Sequence, residues 1–210
     1  MKLLARCGNL FLFIPIVVIS FGSCRNYVPA QQLVFGSLTS APVFVLPACD
    51  QANGIERVYF KRGNNGVEDV VEVTVVFSDE DHPFFLFDAV YDLFRCFRYH
   101  RKKDIETFYM YLSSKNQQII KIDFGDAYSG LQKFSKGIVK HFHQSISGNL
   151  LEMQNGRPVV YINTWNHLFS ESDTNPGRPK IKYAEYSCFA GSRLDAEPKR
   201  KSRKGYRLSA

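Results

Sequence analysis

Two runs rich in β-branched and aromatic residues, Ile55 to Arg62 and Val67 to Phe77, flank the tetrapeptide Gly63-Asn64-Asn65-Gly66. Side chains of that kind suit a pleated, half-buried surface, and Gly and Asn tolerate the positive φ of a tight turn, so residues 55–77 read as a β-hairpin. The pattern recurs. Glu106 to Leu112 and Gln118 to Phe124 lie on either side of Lys115-Asn116, and Ile105-Glu106-Thr107-Phe108-Tyr109 echoes Ile55-Glu56-Arg57-Val58-Tyr59. A third hairpin is signalled by Asn155-Gly156, whose residues fit a two-residue primed turn, between Leu150 to Met153 and Val159 to Trp165. A last strand is expected over Ile181 to Phe189.

Between the hairpins the period changes. Ser78-Asp79-Glu80-Asp81-His82-Pro83 ends a strand and opens a helix, because acids favour a helix's first turn and proline an early helical position. From Phe84 to Lys103, apolar residues return at Phe87, Val90, Tyr91, Phe94 and Phe97, and the segment closes on Arg101-Lys102-Lys103. That spacing predicts an amphipathic helix. Leu131, Phe134, Ile138, Val139 and Phe142 predict a second, running to about Ser147. The expected fold class is α+β: an antiparallel sheet of successive hairpins, with two amphipathic helices packed on one face. Residues 55–193 make one domain, with ample core material at 45% hydrophobic and 14% aromatic residues over the chain. Residues 24–54 read as an extended lead-in, in which Leu33 to Pro47, with Gly36, Pro42 and Pro47 between apolar runs, suggests short edge strands or a continued extended path, and 194–210 read as a basic disordered tail.

Residues 1–23 read as a signal peptide. Lys2 and Arg6 precede an apolar run from Leu10 to Phe21, which is shorter than the ~20 residues a spanning helix needs. Phe21-Gly22-Ser23-Cys24 resembles a bacterial lipobox, although Phe21 stands where Leu, Val or Ile is usual. The resemblance implies a diacyl anchor on Cys24 and an extracytoplasmic, membrane-attached lipoprotein, two chains being enough for stable attachment. Cleavage after Gly22 or Ala30 would instead free the protein. With Cys7 removed, Cys49, Cys96 and Cys188 remain beside Cys24. Cys96 falls in the helical apolar pattern, so Cys49 with Cys188 is the preferred disulfide. No Cys-x-x-Cys or His/Cys cluster occurs, and neither a metal nor a cofactor is expected.

The formal charge is +7, from 27 bases and 20 acids. The tail from Leu194 contributes +4 of it, from six bases and two acids. A basic tail on an exported chain is a solvated terminus or is drawn to an anionic membrane face or envelope polymer; no nucleic-acid partner is expected. Asn-x-Ser/Thr acceptors are absent from the sequence.

The polar segment with most chemical potential is Asn163-Thr164-Trp165-Asn166-His167, followed by an oxygen-rich loop from Ser170 to Gly177. Sites often sit where polar groups gather at a strand end beside a loop. Asn163, Trp165 and Asn166 are candidate binding residues, with Trp165 as a platform. A secreted hydrolase would use His167 as base with Glu171 or Asp173 as its orienter. Alternatively the strand runs out into a turn in which Asp173 and Asn175 bond their own backbone. His141 and His143 would lie on different faces of a helix, and His82 sits in a capping cluster. No Gly-x-Ser-x-Gly, His-Glu-x-x-His, P-loop or dinucleotide pattern is found. The leading expectation is therefore a non-enzymatic envelope protein that binds an unidentified polymer or protein partner, or serves structurally, using the sheet face that its helices leave bare. The hydrolase is the alternative.

Overall fold

The computed structural model describes residues 40–64, 66, 68–99 and 102–197. Residues 1–23, where a signal peptide was expected, Cys24 and most of the basic tail lie outside them. The protein is mixed α+β, mostly sheet with few helices. In chain order the strands are β1 Val43–Pro47, β2 Ile55–Asn64, β3 Glu68–Phe77, β4 Ile105–Ser113, β5 Ile119–Asp123, β6 Ser145–Ser147, β7 Met153–Gln154, β8 Arg157–Ile162, β9 Phe169–Ser170, β10 Lys180–Tyr183 and β11 Cys188–Ala190. The helices are α1 Phe85–Tyr99 and the single turn α2 Arg193–Ala196.

The strands form two sheets. The larger has six strands in the order β11-β2-β3-β4-β5-β6; the smaller runs β10-β1-β8-β7, with β9 also on β8. Period-two alternation turns most of the apolar side chains of each sheet to one face, with smaller buried clusters on the other faces at Val43, Val45 and Val159 and at Tyr59, Val76 and Ile105. Val71, Val73, Val75 and Phe77 of β3 and Phe108, Met110 and Leu112 of β4 meet Phe44, Leu46, Val160, Ile162 and Phe169 of the smaller sheet in one buried core. At its centre Phe108 packs edge-on against Phe169 at 5.0 Å and against Phe44 at 6.3 Å. Such aromatic pairs add to the stabilisation from burial alone.

The structure corrects the sequence reading in four places. First, Val43–Pro47 is no lead-in: all five residues are buried, and β1 lies inside the smaller sheet, parallel to β8 and antiparallel to β10. An apolar run buried on both faces need not alternate, and the prolines around it suited an edge strand or an extended lead-in rather than an interior strand. Second, residues 181–189 supply two strands, one to each sheet, and β11 pairs parallel with β2. Third, the helix expected from Leu131 to Ser147 does not form. The segment is a loop that closes into β6 on the edge of β5. Fourth, the apolar core faces of two sheets cover one another, where two helices packed on one face of a single sheet were expected.

Candidate functional site

The β3–β4 connection leaves the larger sheet, forms α1 and returns through Asp104, whose carbonyl accepts from the Phe77 amide at 2.9 Å. The start of α1 is held by side chains. The Asp88 carboxylate accepts from the His82 amide at 2.8 Å, and His82 Nδ1 accepts from the Phe84 amide at 3.1 Å. These satisfy amides next to the helix start and put negative charge in its first turn, where the helix dipole favours it.

The orientation of α1 inverts the usual amphipathic rule. Its polar stripe faces the protein: Arg95 is 2% exposed, with its guanidinium 3.3 Å from Glu80, 3.6 Å from Asp79 and 3.9 Å from Asp104. Arg95 also donates to the Glu80 carbonyl at 3.4 Å and lies 5.6 Å from the Tyr91 ring centre. The apolar stripe faces solvent. Phe87 is 65%, Val90 68% and Phe97 74% exposed, with Phe84, Leu93 and Phe94 exposed beside them. Burying a side chain of this class is worth ~1.5–3 kcal/mol, so a row left in water marks a contact surface.

Behind Arg95 lies a second ionic centre. His167 is wholly buried and stacks on Phe77 with ring centres 3.9 Å apart and planes 5° from parallel. Its Nδ1 donates to Asp104 Oδ2 at 3.0 Å, while Nε2 approaches Asp50 Oδ2 at 3.3 Å, an ionic contact without hydrogen-bond alignment. Burial works against charge on the ring. The two carboxylates outweigh it and push its pKa up to about 10, so His167 is an imidazolium held between Asp104 and Asp50. Asp50 is itself fixed by Asn53, whose amide donates to it at 3.0 Å. Burial, followed by the nearby Asp104 charge, raises Glu106 well above the ordinary carboxylate range.

The expected His167–Glu171–Asp173 constellation does not assemble. Glu171 accepts from the Tyr128 hydroxyl at 2.9 Å and from Ser170 at 3.1 Å, while Asp173 accepts from the Asn175 amide at 2.7 Å and pairs with Lys180. Both nitrogens of His167 face carboxylates, and the ring is sealed from solvent, so it has neither a lone pair nor access for general base chemistry. Asn163 is a clamp: its amide donates to the Ser172 carbonyl at 2.9 Å, and its side-chain oxygen accepts from the Thr174 amide at 3.3 Å. Asn166 donates to His141 Nε2 at 3.3 Å. Trp165 is different. Its ring meets His82 edge-on at 4.6 Å and Tyr91 at 6.3 Å, and its Nε1 donates to the Gly137 carbonyl at 3.4 Å. It thus joins the start of α1 to the 131–142 loop.

The Cys49–Cys188 bridge is not formed, and both thiols are free. Cys49 is exposed in the 3₁₀ turn after β1, with its sulfur 3.6 Å from Arg178; Cys188 is buried in β11, donating to the Tyr186 carbonyl at 3.5 Å. One side chain sits on an exposed turn and the other inside the larger sheet, in different surroundings. Sequence reading missed Asp50, Asp104 and Arg95. A signal for Arg95 existed: Asp88, Tyr91, Asp92 and Arg95 make a polar stripe at helical spacing, but the helix alone does not say which stripe is buried.

The fold and site thus define a two-sheet α+β protein with an appended helix whose apolar stripe faces outward. No family model matches the chain, and no curated protein matches it. Among solved structures it is similar to the protein NLPPya in its complexes with mannosamine and with glucosamine, at TM-scores of 0.44 and 0.45 and 8% identity, covering 78% of each chain. It is also similar to Necrosis and Ethylene inducing Protein 2 from the causal agent of cocoa's Witches Broom disease, at a TM-score of 0.41 and 8% identity, covering 78% of this chain and 76% of that one. Similarity of that order assigns the chain to no family.

Proposed function

We propose that this chain is an exported, non-enzymatic binding module of the cell envelope, tethered through Cys24, that meets its partner with the outward face of α1. The observation that carries the reading is the inversion of that helix: Arg95 is buried while Phe87, Val90 and Phe97 stand in water. Holding a helix by its polar side costs the desolvation of several charges and forgoes the burial of a row of aromatic side chains. That arrangement makes sense where the apolar row is used for contact. The leader and the Phe21-Gly22-Ser23-Cys24 motif support export, and the sealed imidazolium of His167 favours binding over hydrolysis.

The test replaces Phe94 with a photo-crosslinking phenylalanine analogue in the full chain, expressed so that it reaches the envelope. Illumination is expected to yield an adduct with an envelope component, and the same analogue at Lys61, exposed on β2, is expected to yield none. Equal labelling at both positions refutes the reading. Mass spectrometry of the mature N-terminus should find acyl chains on Cys24; an unacylated terminus removes the tether.

A further inference from the structure

We infer that the partner of this face is an anionic lipid bilayer, and that the 131–140 loop completes the docking surface beside α1. This rests on the reading of α1 as the contact element and names what it contacts.

Trp165 places the two segments together, with its ring against His82 and Tyr91 and its Nε1 on the Gly137 carbonyl. The loop shares the unusual character of the helix. Leu131 is 88% and Ile138 93% exposed, and Lys133, Lys136 and Lys140 are exposed between and beside them. No acidic residue occurs between Asp126 and Glu152. At the other end of α1, Lys102 pairs with Asp92 and Lys103 with Glu56, which leaves the loop lysines to carry the positive charge of this surface. The two acids of α1 are turned to other tasks, Asp88 accepting from the His82 amide and Asp92 pairing with Lys102.

The surface therefore has aromatic and aliphatic side chains projecting from two segments, lysines around them and no counter-charge along the loop. A helix with a broad aromatic face lies in the plane of a bilayer with that face among the acyl chains and its cations at the headgroups. Polybasic segments next to it are attracted to anionic headgroups. Phe, Leu and Ile entering the acyl region while Lys133, Lys136 and Lys140 stay at headgroup level satisfies both components at once. A protein partner would have to supply an acidic rim around an apolar groove, whereas an anionic bilayer has both properties everywhere.

The only tryptophan of the chain sits at the junction, so its emission reports docking through this surface and is silent to binding through the leader or the tail. The full chain carrying Cys24→Ser, to exclude an acyl anchor, is mixed with vesicles of phosphatidylcholine alone or with one third phosphatidylglycerol. Emission is expected to shift to the blue and to be quenched by brominated acyl chains with the anionic vesicles only. Lys133→Gln/Lys136→Gln/Lys140→Gln is expected to weaken binding on the order of a hundredfold, each lysine near an anionic surface being worth about fivefold. Phe87→Ser/Phe94→Ser is expected to abolish the quenching. The inference is overturned if Trp165 emission is unchanged by anionic vesicles, if phosphatidylcholine alone gives the same quenching, or if both variants match the parent. A protein or polymer adduct at position 94 with silent vesicles would sink the lipid and spare the broader reading; no adduct and silent vesicles would sink both.

Discussion

His167 is where a single side chain decides most. An imidazolium between Asp104 and Asp50 is stable because each charge has a partner, and removing the cation leaves two buried carboxylates facing one another. We expect His167→Ala to cost ~3–5 kcal/mol, the range for breaking a buried ion pair from one side. The folded ring keeps its proton to about pH 10, whereas in the unfolded chain it is lost near ~6.5. Its contribution is therefore complete below the lower value and disappears as pH rises through the upper one. Stability should fall across that window by up to about 1.4 kcal/mol per pH unit. Glu106, whose carboxyl is raised by burial and by Asp104, acts with the same sign, beginning at lower pH. Other charged groups around the centre include Arg95, Asp79 and Glu80, and Arg193 beside Glu106. Urea unfolding between about pH 6 and pH 10 tests this: a flat profile for the parent, or an equally steep one for His167→Gln, would show that His167 does not carry the dependence.

At the level of elements, α1 hangs on Arg95. Replacing it with alanine leaves Glu80, Asp79 and Asp104 without their common cation, so Arg95→Ala should release the helix and speed amide exchange across residues 85–99. Phe97→Ser, on the water side, should leave exchange unchanged and cost under about 0.5 kcal/mol, as surface substitutions do. Hydrogen exchange read by mass spectrometry separates the two, and protected amides in Arg95→Ala would mean that something else holds α1. The edge of the larger sheet depends on Gly148 in a similar way. A Cβ there would sit 2.1 Å from the Ile119 carbonyl oxygen and 3.0 Å from that of Ile120, both backbone atoms. Gly148→Ala should therefore lower stability by roughly 1–3 kcal/mol, while Gly177→Ala, with nothing within 4 Å, should be neutral; equal unfolding midpoints would contradict the close approach.

The elements also show what the sequence could tell. The runs around Gly63-Asn64-Asn65-Gly66 coincide with β2 and β3, and Asn155 and Gly156 do take positive φ values of 52° and 77°, because local turn chemistry and alternation carry that information. The 131–147 segment has helical spacing too, yet side chains satisfy its backbone instead. Gln132 donates to the carbonyls of Ser129 and Lys140 at 2.8 and 2.6 Å and accepts from the Lys140 amide at 2.7 Å, while Asn175 caps the Phe134 amide at 2.8 Å. Those partners lie up to 41 residues away, and no local period records them. The same holds for the site: Asp50, Asp104 and His167 meet only because three separate loops converge, so nothing in the neighbourhood of His167 pointed to its true partners rather than to Glu171 and Asp173.

For the whole molecule, stability and surface are separable. The buried core between the sheets, with Phe44, Phe77, Phe108, Phe124 and Phe169 all fully enclosed, draws nothing from the exposed stripe of α1, and the helix is attached by charge and hydrogen bonds rather than by that stripe. Phe87→Ser/Val90→Ser/Phe97→Ser should accordingly keep the unfolding free energy from urea titration within about 1 kcal/mol of the parent. The same triple variant should elute earlier from a hydrophobic-interaction column, since the row it removes is among the most exposed apolar side chains of the described residues. A collapse of the midpoint would mean that these side chains pack against the domain in solution. Unchanged retention would mean that the face is covered, and either outcome would remove the surface on which both the binding reading and the bilayer inference stand.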